Sequence, residues 1–183
     1  DLGVRTIQLA GYDVYYEEKS PQTRQRFIKN LRKACDWAEE AQVVLAIEIM
    51  DDPFINSIEK YLAIEKEIDS PYLFVYPDIG NVSAWHNDVY SEFYLGHHAI
   101  AALHLKDTYA VTESSKGQFR DVPFGQGCVK WEEAFDILKQ TNYNGPFLIE
   151  MWSENCETVE ETRAAIQEAQ AFLYPLIKKA GLM

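Results

Sequence analysis

The stretch VVLAIEIMD, Val43 to Asp51, is apolar on both faces of an extended chain, with one charged side chain, Glu48, near its end. A strand covered on one face alternates apolar and polar residues. A strand covered on both, as in a parallel sheet, reads as a continuous run rich in β-branched residues. Four more stretches have this form: VRTIQLAG (4–11), YLFVYPDIG (72–80), IAALHLKD (100–107) and PFLIEMW (146–152). In the last of them Glu150 sits among Phe147, Leu148, Ile149, Met151 and Trp152. A buried lone carboxylate is costly unless it is paired, protonated or bound to a metal.

Helical patterns separate the runs. Ser20 followed by Pro21 is an N-cap with proline at the first helical position, and Phe27, Leu31, Ala34, Ala38 and Ala41 follow at helical spacing. A second helix is expected over 57–69, a third over 88–95 and a fourth over 131–141. The last starts at Thr158, whose pattern with Glu161 is a capping box, and Pro175 is expected to kink or break it. No linker or low-complexity segment divides the chain. The order βαβαβαβαβα demands a parallel sheet with right-handed crossovers. A doubly wound sheet and a (β/α)8 barrel both satisfy it.

Polar residues at the strand ends narrow the choice. Glu48, Asp78, His104 and Glu150 each fall near the C-terminal end of a run, and in a barrel those ends converge on the face that carries active sites. Taken singly, Asp78 reads as a helix cap or a salt-bridge member and His104 as a hydrogen-bonded core histidine. Taken together, two Glu, one Asp and one His form a mixed oxygen and nitrogen set suited to one divalent ion: Mn²⁺, Zn²⁺, Co²⁺ or Mg²⁺.

The bulk numbers bound the partners. The chain has 183 residues and a formal charge of −12, which argues against a nucleic-acid backbone as ligand. No apolar run is long enough to cross a bilayer. Three cysteines without a CxxC pair point to a reducing cytoplasm.

VYPDIGN, HLKD, FRDVPFGQG and FLIEMW, with IQLAGYDVYY ahead of them, resemble the xylose isomerase-like TIM-barrel family. Within it the likeness is to the L-ribulose-5-phosphate / L-xylulose-5-phosphate 3-epimerase group, also described as hexulose-6-phosphate isomerases. The resemblance implies a (β/α)8 barrel of which this chain supplies the last five βα units, strands 4 to 8. Residues 1–183 are then the C-terminal portion of one domain, and the opening DLGVRTIQLAG fits a domain interior. Five strands alone leave two unpaired edges, so these residues by themselves are expected to oligomerise or aggregate.

The resemblance further implies that Glu48, Asp78, His104 and Glu150 hold the metal, with Glu48 and Glu150 as the acid/base pair. Arg120 matches a position that contacts substrate hydroxyls. Asn81 stands where some relatives carry a substrate-binding histidine. Lys116, with Arg120, lies after barrel strand 7, a region that often binds phosphate. The implied substrate is a phosphorylated ketopentose and the implied assembly a homodimer. An aldose–ketose isomerase on the same centre, or a non-catalytic metal- or sugar-binding fragment, are the alternatives. Related DNA-repair endonucleases need more histidines than the four present and a basic groove. Lys106 and Asp107 read either as a surface pair or, for Asp107, as a support for a metal ligand.

Overall fold

The computed structural model describes residues 3–183. Its elements in chain order are β1 (Thr6–Ala10), α1 (Pro21–Ala41), β2 (Val44–Glu48), α2 (Ile58–Ile68), β3 (Leu73–Tyr76), α3 (Ile79–Ala84), α4 (Val89–Gly96), β4 (Leu103–Leu105), β5 (Asp107–Tyr109), β6 (Gln118–Val122), α5 (Trp131–Gln140), β7 (Phe147–Ile149) and α6 (Val159–Ala180). β1, β2 and β3 form a parallel sheet, and β4 pairs in parallel with β7. Bridges from Val75 to Ile100 and from Asp78 to His104 join β3 to β4. The five strands β1, β2, β3, β4 and β7 therefore make one parallel wall, a partial barrel with α1, α2, α4, α5 and α6 outside it.

Local chemistry sets the helix ends. Ser20 and Thr23 form a reciprocal capping box at α1, and Thr158 and Glu161 form another at α6. Glu92, on α4, accepts from the amides of Ile58 and Glu59 and so caps α2 from a neighbouring element. The helix α6 is not broken at Pro175 and runs on to Ala180. Pro175 is exposed while Leu173 and Ile177 are buried, so the carbonyl freed by the missing amide faces water and the apolar stripe holds the helix down.

Register assigns faces, since alternate residues of a strand point to opposite sides. Leu45, Ile47, Ile49, Leu73, Val75, Leu103 and Leu105 belong to the large core shared with the helices. Ala46, Tyr76 and Ala102 form a smaller cluster on the inner face. The central strands are buried as their apolar character requires. β1 and β7 are not: Ile7 and Leu148 are well exposed, because each strand has a neighbour on one side only. Two elements lie outside the expected pattern, the short helix α3 and an antiparallel hairpin of β5 and β6. No described helix is long and apolar enough to cross a membrane, and Cys35, Cys128 and Cys156 are unpaired.

Candidate metal centre

Glu48 ends β2, Asp78 follows β3, His104 is the middle of β4 and Glu150 follows β7. Each is in phase with the inner face. One ligand atom from each of the four lies within 4.8 Å of the others. Glu48, Asp78 and His104 are buried and Glu150 is half-buried. His104 Nδ1 is the hub, 2.8 Å from Glu48 Oε1, 3.3 Å from Glu150 Oε2 and 4.0 Å from Asp78 Oδ2.

The remaining atoms of these side chains are tied down. Gln8 Nε2 donates to Glu48 Oε2 at 2.6 Å, and the Asn81 amide donates to Asp78 Oδ1 at 2.7 Å. Asp78 is thus both N-cap of α3 and a member of the cluster. Its second oxygen, Oδ2, and Glu150 Oε2 are buried and receive no hydrogen bond. Buried acceptors are seldom left so. Two orphaned carboxylate oxygens beside a histidine nitrogen, with no thiolate, fit a hard or borderline divalent cation.

A buried cation offsets part of the negative charge of the cluster. Lys106, two residues after His104 and therefore on the same face, is buried. Its Nζ lies 3.0 Å from Asp78 Oδ2 and 3.2 Å from Glu150 Oε2. Burial alone would lower the His104 pKa, but its close contact with Glu150, its hydrogen bond to Glu48 and their charges push it up to about 9. Burial holds Asp78 well above the usual carboxylate range, with Lys106 acting against this and Glu150 adding to it. Burial opposes ionisation of Glu150 too, yet the close approach of His104 and Asp78 and the charges of Lys106 and His104 outweigh it, and Glu150 is held low. Tyr76 packs against the His104 ring at 4.6 Å, and burial with the nearby glutamates raises its phenol to about 12.

The sequence-predicted substrate residues fall at different depths. Asn81 is buried beside Asp78; its Nδ2 donates to the Ile49 carbonyl, and its Oδ1 has no partner. Arg120, on β6, is exposed and stacks 4.9 Å from the Trp152 ring centroid, with Glu154 4.0 Å away. Trp152 also lies 5.1 Å from Lys106 Nζ, so Arg120 meets the cluster only through that ring. Lys116 is exposed in the turn of the β5–β6 hairpin and is not brought to the cluster.

Lys106 and Asp107 are not a surface pair. Asp107 points away from the cluster and accepts from the amides of Gly125, Gly127 and Val129 and from Trp131 Nε1. Its carboxylate seats the loop after β6 rather than a metal ligand. Gly127 is glycine because a Cβ there would lie 2.0 Å from Asp107 Oδ1. The loop after β6, the segment after β7 and α6 line an open cavity of about 380 Å³, with Lys106, Glu150, Phe124, Met151, Trp152 and Phe172 among its walls. Gln8, Tyr76 and Lys106 are members of the site that the sequence reading did not assign.

The profile of the "Xylose isomerase-like TIM barrel" family matches residues 1–176. The SgbU protein of Haemophilus influenzae is 52% identical over the whole chain, which spans 63% of that relative's length. L-ribulose-5-phosphate 3-epimerase UlaE of Escherichia coli O157:H7 is 47% identical, with 61% of its length spanned. Among solved structures, a xylose isomerase domain protein from Planctomyces limnophilus superimposes with a TM-score of 0.75 at 20% identity, over 97% of this chain and 60% of its own. The IolI protein, solved with a zinc atom, gives a TM-score of 0.75 at 19% identity, over 98% and 65%. A TIM-barrel protein from Mycobacterium smegmatis in complex with magnesium gives 0.63 at 18%, over 93% and 63%.

Proposed function

The chain belongs to the xylose isomerase-like TIM barrel family, and on that premise we propose that it is the C-terminal portion of a metal-dependent 3-epimerase acting on L-ribulose 5-phosphate and L-xylulose 5-phosphate. The observation that carries the reading is the placement of two glutamates, Glu48 and Glu150, from opposite parts of the wall around His104 Nδ1. The identity to UlaE supports the substrate.

Epimerisation at C3 of a 2-ketose removes a proton alpha to a carbonyl and returns one from the other face, through a cis-enediolate. One base tends to return the proton where it came from, so two are required. Glu48 and Glu150 take these roles. Gln8 and His104 fix the Glu48 carboxylate, while Lys106 lies beside Glu150. Glu48, Asp78, His104 and Glu150 would hold one divalent ion, Mn²⁺, Zn²⁺, Co²⁺ or Mg²⁺, which when bound supplies Lewis-acid stabilisation of the charge developing on O2 and O3. Asn81, whose Oδ1 is buried and unpartnered, is assigned to a sugar hydroxyl. Arg120 is assigned to the hydroxyls at the mouth, and Lys116 to the phosphate.

Deuterium incorporation from D2O tests this reading. Exchange at C3 of either pentulose phosphate, abolished by a chelator and restored by metal, is the expected result. Exchange at C1 instead would identify an aldose–ketose isomerase, and no exchange by the full-length protein would leave a non-catalytic binding protein.

A further inference from the structure

Resting on the metal reading above, the geometry points to Lys106 as a built-in occupant of the cation position, one that a divalent ion must displace. Asp78 has one oxygen committed to the Asn81 amide, so only Oδ2 remains for an ion. Lys106 Nζ is 3.0 Å from that atom. Glu150 Oε2, the other carboxylate oxygen of the cluster that is buried without a hydrogen bond, is 3.2 Å from the same Nζ. The ammonium therefore bridges the two oxygens that an incoming ion needs. It does so from a buried position, where an unbalanced cluster of three carboxylates would be strongly disfavoured.

The side chain has somewhere to go. Lys106 lines the cavity of about 380 Å³, and Trp152 already offers its ring 5.1 Å from Nζ. The charges balance once the exchange is complete. Three carboxylates with a dication and a lysine sum to zero, so the ammonium need only move aside, not leave. Its new place is the substrate cavity, where a phosphate or a developing oxyanion would meet it. Ion loading thereby arms the cavity with a cation that the empty centre keeps for itself.

Mn²⁺ titration by calorimetry and by thermal unfolding, on the full chain and on Lys106→Met, tests the exchange without reference to activity. Removing the competitor is expected to lower the Mn²⁺ dissociation constant at least tenfold. It is also expected to lower the melting temperature of the metal-free protein while leaving that of the loaded protein nearly unchanged. Lys106→Arg, which keeps the charge, should bind Mn²⁺ within a few-fold of wild type. An unchanged or weaker Mn²⁺ affinity in Lys106→Met, or equal loss of stability in both states, overturns the inference and leaves the metal reading standing. No Mn²⁺ binding by wild type overturns the metal reading itself. A crystal structure of wild type with Mn²⁺ needs no variant: Nζ still bridging Asp78 Oδ2 and Glu150 Oε2 beside the bound ion would also overturn the exchange.

Discussion

His104 Nδ1 lies 2.8 Å from Glu48 Oε1, joining side chains 56 positions apart in the chain. In the metal-free protein this pair makes stability depend on pH. The folded-state pKa of His104 is about 9, above its ordinary value near 6.5. Its contribution is therefore complete below about pH 6.5 and is lost as pH rises through about 9, worth up to roughly 3 kcal/mol. Urea unfolding of chelator-treated protein across that window measures the loss. His104→Gln should flatten the curve, and an equal pH dependence in that variant would show that other groups set it.

Gln8 holds the outer oxygen of Glu48 at 2.6 Å and so fixes which oxygen faces the cluster. Gln8→Leu is expected to reduce metal affinity or kcat by about 10–100-fold, the usual cost of removing such a support. Isothermal titration with Mn²⁺ and steady-state kinetics report the two effects separately. Wild-type values for both would reduce the contact to packing.

Asp107 accepts from four donors in the segment 125–131. Asp107→Ala strands those groups in a partly buried setting, at about 1–3 kcal/mol for each that finds no water. A drop in melting temperature should accompany faster proteolysis of the loop after β6. Gly127→Ala should give the same phenotype, since its Cβ would meet Asp107 Oδ1 at 2.0 Å and the Thr108 carbonyl at 2.4 Å.

Glu92 ties α4 to the first turn of α2 through the amides of Ile58 and Glu59. Glu92→Ala removes that cap and is expected to destabilise the fold by about 0.5–2 kcal/mol. Chemical denaturation decides it. Unchanged stability would mean that water replaces the carboxylate.

The strands and the four cluster residues were legible because both signals are local. A β-branched run marks a strand, and a polar residue near its end marks the converging face. Lys106 was legible in principle as well: it is two residues from His104, and a strand repeats its facing every two residues. Its polar, charged character drew the reading toward the surface. Gln8 was not legible, since its partner depends on the register of β1 against β2, which pairs Gln8 with Ala46 and Ala10 with Glu48. The β5–β6 hairpin was hidden by the polar turn around Lys116, where alternation is short and the β5–β6 register is broken. Exposure of β1 and β7 could not be read either, because an apolar run records the cover a strand is suited to, not the neighbours it has.

Lys106 and Asp107 are consecutive, and consecutive strand residues project to opposite sides. One peptide therefore carries both the ammonium beside Asp78 and the carboxylate that seats Gly125 and Gly127. A rotation of that peptide to reshape the cavity wall would withdraw positive charge from the cavity floor in the same movement. Shape and electrical potential are thus a single mechanical variable here, and the chain cannot tune its fit to a ligand without also retuning the field the ligand feels.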